Sequence, residues 1–340
     1  MTQNMSATHN KPADLVLEGG GVKGIGLAGA VLELDAAGYV FKRVAGTSAG
    51  AIAAALIAAL NAAEKPLSQL TDILGSVEYP KFMTKSHLRA AFGKLGDAEQ
   101  LLLHMGLFDG DYLVDWLGSA LRDIGITRFG DLRLHDPGAD QTQTQSQRYS
   151  LVVHTADITR GRLVRLPWDY PVYGHPDIDN ELIVDAVRAS MSIPFFFDPV
   201  RLRAPDAVVD GVTYEGGTVT WVDGGMLSNF PVEVFDRADG VASRWPTIGI
   251  KLSAQQTLVP ARGDVHNVIA EAVACLHTLL DNADRYYITA DKAARTIFVD
   301  CFGLKATDFH LTVEDQQTLD ANGHQAARDW LARPAEQVSV

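Results

Sequence analysis

Between Asp14 and Ile57 the chain reads DLVLEGGGVKGIGLAGAVLELDAAGYVFKRVAGTSAGAIAAALI. The stretch carries two glycine-rich turns, each after an apolar, strand-like run and ahead of a helical pattern. The first, Gly19 to Gly24, separates Leu15-Val16-Leu17 from Ile25 to Leu34. The second, Gly46-Thr47-Ser48-Ala49-Gly50, separates Arg43-Val44-Ala45 from the Ala-rich run Ala51 to Leu60. Strand, helix, strand, helix in this order predicts an α/β chain with a mostly parallel sheet.

The second turn has the form Gly-x-Ser-x-Gly. Between a strand and a helix, that spacing is a nucleophile elbow: glycines permit a tight turn and the serine hydroxyl stands at a helix N-terminus. The helix end and the N–H groups of a glycine loop offer places for a developing oxyanion. Ser48 is therefore the candidate nucleophile, with Gly46, Thr47, Ala49 and Gly50 forming its elbow.

A serine hydroxyl needs a base. None of the ten histidines sits in a glycine-rich or strand-end context. The best-placed carboxylate is Asp223, which ends the β-like run Thr218 to Val222 and precedes Gly224 and Gly225. The plain alternative for Asp223 is a turn aspartate, as expected for Asp210-Gly211.

Three other readings of the glycine turns fit less well than the elbow. Gly19-x-Gly21-x-x-Gly24 fits a dinucleotide fingerprint, but the second strand ends Val44-Ala45-Gly46 without the acid that motif needs. A phosphate loop needs Gly-Lys-Ser/Thr, and Gly24 is followed by Ile25. An α/β-hydrolase would place its elbow after several strands and a histidine after its acid.

Composition narrows the partners. A formal net charge of −13 opposes a nucleic-acid partner. Two cysteines, Cys275 and Cys301, make no disulfide framework and fit a reducing compartment. Residues 1–13 are polar, read as disordered, and lack the apolar core of a secretory signal. No apolar run is long enough to span a bilayer. The expectation is a cytoplasmic protein, peripheral to membranes, with export as an effector without a cleaved signal left open.

Pro66 to Leu121 reads as helical, with breaks at Pro80, Gly93, Gly96 and Gly106 to Gly110. Within it Lys81, Lys85, Arg89 and Lys94 interleave with Phe82, Met83, Leu88, Phe92 and Leu95. That pattern suits docking on lipid, or a solvated helical face whose apolar side meets the core. Further on, Tyr149 to Thr155 and Arg162 to Leu166 read as strands, and Leu182 to Ala189 as a short helix. Phe195 to Phe197 reads as core, Arg201 to Val222 as a hairpin turning at Asp210-Gly211 and Gly216-Gly217. Thr247 to Leu252 and Thr296 to Val299 are further strands, and Val265 to Leu280 and Thr312 to Leu331 further helices. No linker divides the chain, so 14–335 is expected to be one domain with a helical insertion at about 66–123.

Taken together these motifs resemble the patatin-like phospholipase family. The match rests on Gly19-Gly20-Gly21-Val22-Lys23-Gly24 after the first strand, the Gly-x-Ser-x-Gly two dozen residues later, and Asp223-Gly224-Gly225. Ala189-Ser190 to Pro194 and Asn229-Phe230-Pro231 are similar to that family as well. The resemblance implies a three-layer fold, a Ser48–Asp223 dyad and an oxyanion loop over Gly19, Gly20, Gly21, Val22, Lys23 and Gly24, with Lys23 tuning it. It also implies a phospholipid or lysophospholipid substrate at a membrane surface, hydrolysed without cofactor or metal. An acyltransferase with the same dyad and a silent lipid-binding protein are the alternatives. An activator and self-association stay open.

Overall fold

A computed structural model describes residues 11–83, 106–108, 110–134, 144, 147–237, 239–252, 289–304 and 311–334. The expected helix over 265–280 and the bases Lys85, Arg89 and Lys94 lie outside these residues.

Strand β1 (Lys11–Leu17) and strand β2 (Tyr39–Thr47) lie side by side and parallel, joined by helix α1 (Ile25–Ala36). The first strand begins at Lys11 rather than Asp14, so the last three residues of the expected disordered stretch belong to the sheet; Ala13 is already fully buried. Helix α2 (Ala49–Ala62) follows β2 after a single residue. From Ala49 to Leu60 every residue is buried, so this part of α2 lies inside the molecule rather than on its surface.

Helix α3 (Gln69–Gly75) and a 3-10 turn at Tyr79–Met83 come next. The region read as helical is then interrupted by strand β3 (Gly106–Phe108) before helix α4 (Asp111–Ile124). β3 forms because its partner, Phe195–Phe197, runs parallel to it; nothing local to Gly106–Phe108 announces that pairing.

β4 (Leu151–Asp157) is buried along its whole length and pairs in parallel with β2 on one side and antiparallel with β5 (Arg162–Leu166). Helix α5 (Ile183–Ser190) leads to β6 (Phe195–Phe197), the partner of β3. β7 (Val200–Ala204) and β10 (Gly217–Asp223) are the expected hairpin, and a smaller one, β8 (Ala207–Val209) with β9 (Val212–Tyr214), grows from its end. Asp210 and Gly211 turn that smaller hairpin with φ of 52° and 80°, the left-handed pair that matches strand twist. β11 (Thr247–Lys251), helix α6 (Ala290–Ala294), β12 (Thr296–Phe298) and helix α7 (Val313–Leu331) complete the order.

The main sheet runs β12-β11-β1-β2-β4-β10-β7. Its pairs are parallel from β12 to β4 and antiparallel beyond, which makes it mostly parallel with helices on its faces. α7 is capped by Thr312, whose hydroxyl accepts from the Asp315 N–H. It lies so close to α1 that a Cβ on Gly29 would stand 2.2 Å from the Asp320 carbonyl, and one on Gly323 2.2 Å from that of Gly26. The C-terminal ends of β1 and β2 thus both open on one edge of the sheet, where ligands of parallel α/β sheets sit.

Candidate active site

Ser48 is the single residue between β2 and α2 and has φ 54° and ψ −125°. A non-glycine residue in such backbone is strained and is held there by its surroundings. The surroundings are close: a Cβ on Gly46 would lie 2.1 Å from the Gly50 carbonyl, and one on Gly50 2.4 Å from that of Leu17. Both glycines of the elbow are required by contact. α2 begins immediately after Ser48, so the positive end of its dipole is at the hydroxyl.

The Ser190-Met191-Ser192 segment, at the end of α5, binds the two predicted catalytic residues together. The Ser48 N–H donates to Ser190 Oγ at 2.8 Å, and Ser190 Oγ donates to the His154 carbonyl at 2.6 Å. The Ser48 hydroxyl meets the Met191 thioether at 3.5 Å. The Asp223 N–H donates to the Ser192 carbonyl at 2.9 Å. Three consecutive residues therefore touch the nucleophile's backbone, its hydroxyl and the acid's backbone.

Asp223 ends β10 and caps the short turn Gly224–Met226. Its Oδ1 accepts from the Gly225 N–H at 2.8 Å, and its buried Oδ2 has no hydrogen-bond partner. Burial pushes the carboxyl up to about 6, against the pull of the Ser48 hydroxyl and the Gly225 N–H toward the charged form. The Ser48 hydroxyl is thus near enough to act on this carboxylate, while at rest its hydrogen bond closes on sulfur. Gly224 is needed for space: its Cβ would meet the His154 carbonyl at 2.4 Å.

The loop Gly19 to Gly24 lies against the elbow. A Cβ on Gly19 would be 3.1 Å from Ser48 Cβ, and one on Gly24 3.3 Å from Ala49 Cβ. Gly21 has φ 55° and opens a 3-10 turn, Gly21–Gly24. The N–H groups at the start of such a turn have no acceptor within it. Asn229 fixes the loop from both sides: its carbonyl accepts from the Gly19 N–H at 3.0 Å, and its Nδ2 donates to the Gly19 carbonyl at 2.8 Å. Lys23 Nζ donates to the Leu252 carbonyl at 3.4 Å, and buried Glu18 pairs with Lys251 and the Leu252 N–H. Lys23 is thereby an anchor between the loop and the end of β11.

Beside Ser48 an apolar cavity, partly open to solvent, is lined by Gly21, Val22, Ala49, Ile52, Met191 and Ile193, and by Leu74, Val77, Tyr79 and Phe82. Of the two readings of its stretch, lipid docking or an apolar side turned to the core, Phe82 follows the second: it is 4% exposed and belongs to this wall. Of the four bases in that stretch, Lys81 is described and pairs with Glu78.

Among the described residues no histidine ring bonds to Ser48 or Asp223. His154 is fully buried with Nδ1 3.3 Å from the Gly46 carbonyl, and burial lowers its pKa to about 4, so it is neutral. No three His, Cys, Asp or Glu side chains among the described residues gather into a metal site. No helix among them is long and apolar enough to cross a membrane. Ser190, Met191 and Asn229 were visible in sequence only through the resemblance of their segments; their bonds to Ser48 and Gly19 depend on contacts made far along the chain.

The uncharacterized protein YqhO of Bacillus subtilis (strain 168) is 35% identical over 309 residues, covering 90% of this chain and 93% of its own. Among solved structures, VipD from Legionella pneumophila aligns with 95% of this chain and 67% of its own, at 15% identity and a TM-score of 0.48. The type III effector protein ExoU aligns with 97% of this chain at 17% identity and a TM-score of 0.45; the aligned part is 54% of ExoU, about half its length. The family model described as patatin-like phospholipase matches residues 15–236, which hold both glycine turns, Ser48, Asp223 and Asn229. This chain belongs to the patatin-like phospholipase family, a family of lipid hydrolases.

Proposed function

We propose that this protein hydrolyses carboxylic esters of glycerophospholipids or lysophospholipids through a Ser48–Asp223 dyad and an acyl-enzyme. The observation that carries the reading is the strained Ser48, held at a helix N-terminus beside a buried Asp223 whose carboxyl is poised at about 6. A carboxylate of ordinary acidity is a weak base for a hydroxyl. Burial makes this one a better base while leaving it mostly charged at neutral pH.

In the first step the Ser48 proton passes to Asp223 Oδ2 as Oγ bonds to the acyl carbon. The carbonyl π pair moves onto oxygen, where the N–H groups of Gly20, Gly21 and Val22 receive it. Each such donor is worth about 3 kcal/mol in the transition state. Collapse expels the lysolipid or glycerol oxygen, which takes the proton from Asp223. Water then attacks the Ser48 ester, giving its proton to Asp223, and fatty acid leaves with the serine restored. The apolar cavity beside Ser48 suits an acyl chain, and its opening to solvent suits a substrate whose head group remains outside.

The test is free fatty acid release from mixed phospholipid vesicles, with fluorophosphonate labelling of Ser48 alongside. Wild type is expected to release fatty acid and take up the probe, and Ser48→Ala to do neither. Release by Ser48→Ala at the wild-type rate would refute the assignment.

A further inference from the structure

The cavity beside Ser48 has two ends built differently. The end nearest Ser48, with Gly21, Val22, Ala49 and Met191, is made by the two turns and the Ser190–Ser192 segment, and Met191 touches the Ser48 hydroxyl. The rest comes from one short segment after α2: Leu74 of α3, Val77, and Tyr79 and Phe82 of the following turn. Phe82 is the most heavily braced of these. Its ring meets Tyr112 edge-on at 5.1 Å and Phe197 edge-on at 6.4 Å, and lies 6.3 Å from Tyr79. Tyr79 is itself buried, which pushes its hydroxyl up to about 12. The Tyr112 hydroxyl accepts from the Glu78 N–H at 2.8 Å, tying the turn that carries Phe82 to α4. A wall of four interlocked rings does not yield to a growing alkyl chain as loose aliphatic side chains would.

We propose that Phe82, backed by Tyr79, Tyr112 and Phe197, is the stop that sets the length of acyl chain accepted at Ser48. Ile52, one helical turn along α2 from the elbow, sets the width nearer the hydroxyl. This rests on the esterase reading above, and it identifies the specificity-determining residues of that site. Phe82→Ala deepens the cavity and favours longer chains; Ile52→Phe narrows it and favours shorter ones.

The experiment measures kcat/KM for p-nitrophenyl butyrate, octanoate and palmitate with wild type, Phe82→Ala, Phe82→Leu and Ile52→Phe. Preference is read as a ratio within each protein, so differences in folded yield cancel. Phe82→Ala is expected to raise the palmitate-to-octanoate ratio roughly tenfold, the scale on which hydrophobic pockets discriminate by size. Phe82→Leu is expected to move it less, and Ile52→Phe to lower the octanoate-to-butyrate ratio by a similar factor. Ratios within twofold of wild type in all three variants would overturn the proposal. If Phe82→Ala does not fold, Phe82→Leu and Ile52→Phe decide by the same ratios. If wild type cleaves none of the esters, the hydrolase reading fails. The stop is then judged by displacement of bound cis-parinaric acid with octanoic and palmitic acids. A Phe82→Leu protein that favours palmitic acid more than wild type does would support it, and an unchanged preference would overturn it.

Discussion

The backbone N–H of Ser48 donates to the Ser190 hydroxyl at 2.8 Å, and that hydroxyl in turn donates to the His154 carbonyl at 2.6 Å. A side chain from the end of α5 thus satisfies the one donor that the strained elbow would otherwise leave buried, and links it to β4. It also removes the Ser48 N–H from the set available to an incoming carbonyl, leaving that task to the glycine loop.

Ser190→Ala strands both the Ser48 N–H and the His154 carbonyl. A buried polar group without a partner costs about 1–3 kcal/mol. The variant is expected to unfold at lower denaturant by about that amount and to lose turnover as the elbow relaxes. Urea unfolding and ester hydrolysis on one preparation check it; full stability with full activity would show that the bond is idle.

Asp223→Asn is expected to abolish turnover and to stabilise the fold at neutral pH. The folded carboxyl titrates at about 6 against an unperturbed 3.8, so the folded state binds more protons than the unfolded chain between those values. Stability of the wild type therefore falls as pH rises from about 4 to about 6 and stays lower above. The amide has no such titration. The stability difference, variant minus wild type, is expected to grow across that window to at most about 3 kcal/mol. Asp14, raised to about 6 by burial beside Arg43, titrates in both proteins and cancels. A difference that is flat from pH 4 to 8 would argue against a buried, raised Asp223.

Two glycine substitutions should differ in sign. Gly50→Ala places a methyl against the Leu17 and Glu18 carbonyls, at 2.4 and 2.6 Å, and overpacking of this kind costs about 1–3 kcal/mol. Gly75, the last residue of α3, has nothing within 4 Å of an added Cβ and no positive φ. Gly75→Ala is expected to gain about 0.5–1 kcal/mol from reduced backbone freedom in the unfolded chain. Thermal unfolding of both variants reads the contrast.

Met191→Leu keeps the volume where the cavity meets Ser48 while removing the sulfur that holds the Ser48 hydroxyl at rest. A volume-conserving swap costs less than about 1.5 kcal/mol. With no thioether competing for the proton, the hydroxyl is free to turn to Asp223, and fluorophosphonate labelling of Ser48 should be at least as fast as in wild type. Labelling slowed severalfold would mean the sulfur contact aids attack.

Much of this is legible from local pattern. The βαβα start, the Asp210-Gly211 turn and the last helix depend on neighbours within a few residues, and the sequence announces each of them. What sequence does not carry is pairing across long separations. Gly106–Phe108 looks like a break between helices because the strand that makes it one begins at Phe195. Phe82 looks like half of an amphipathic surface because the rings that enclose it come from α4 and β6. Ser190 shows nothing in its own segment to connect it with Ser48, since the bond exists only once α5 has packed beside β4 and β10.

The position of β1 in the sheet has a practical corollary. It pairs with β2 on one side and with β11 on the other, and the Glu18 N–H still donates to the Ile250 carbonyl where the glycine loop begins. A fragment ending at residue 236, where the family match stops, would carry every motif yet leave β1 as a bare edge, apolar but for Lys11 and Asp14. Such an edge is a template for other chains. The fragment is expected to sediment as aggregate on expression, whereas a chain ending at 334 should stay dispersed in the same buffer. The minimal portable unit of this protein is then longer than its signature, because the strands that shield the signature are written after it.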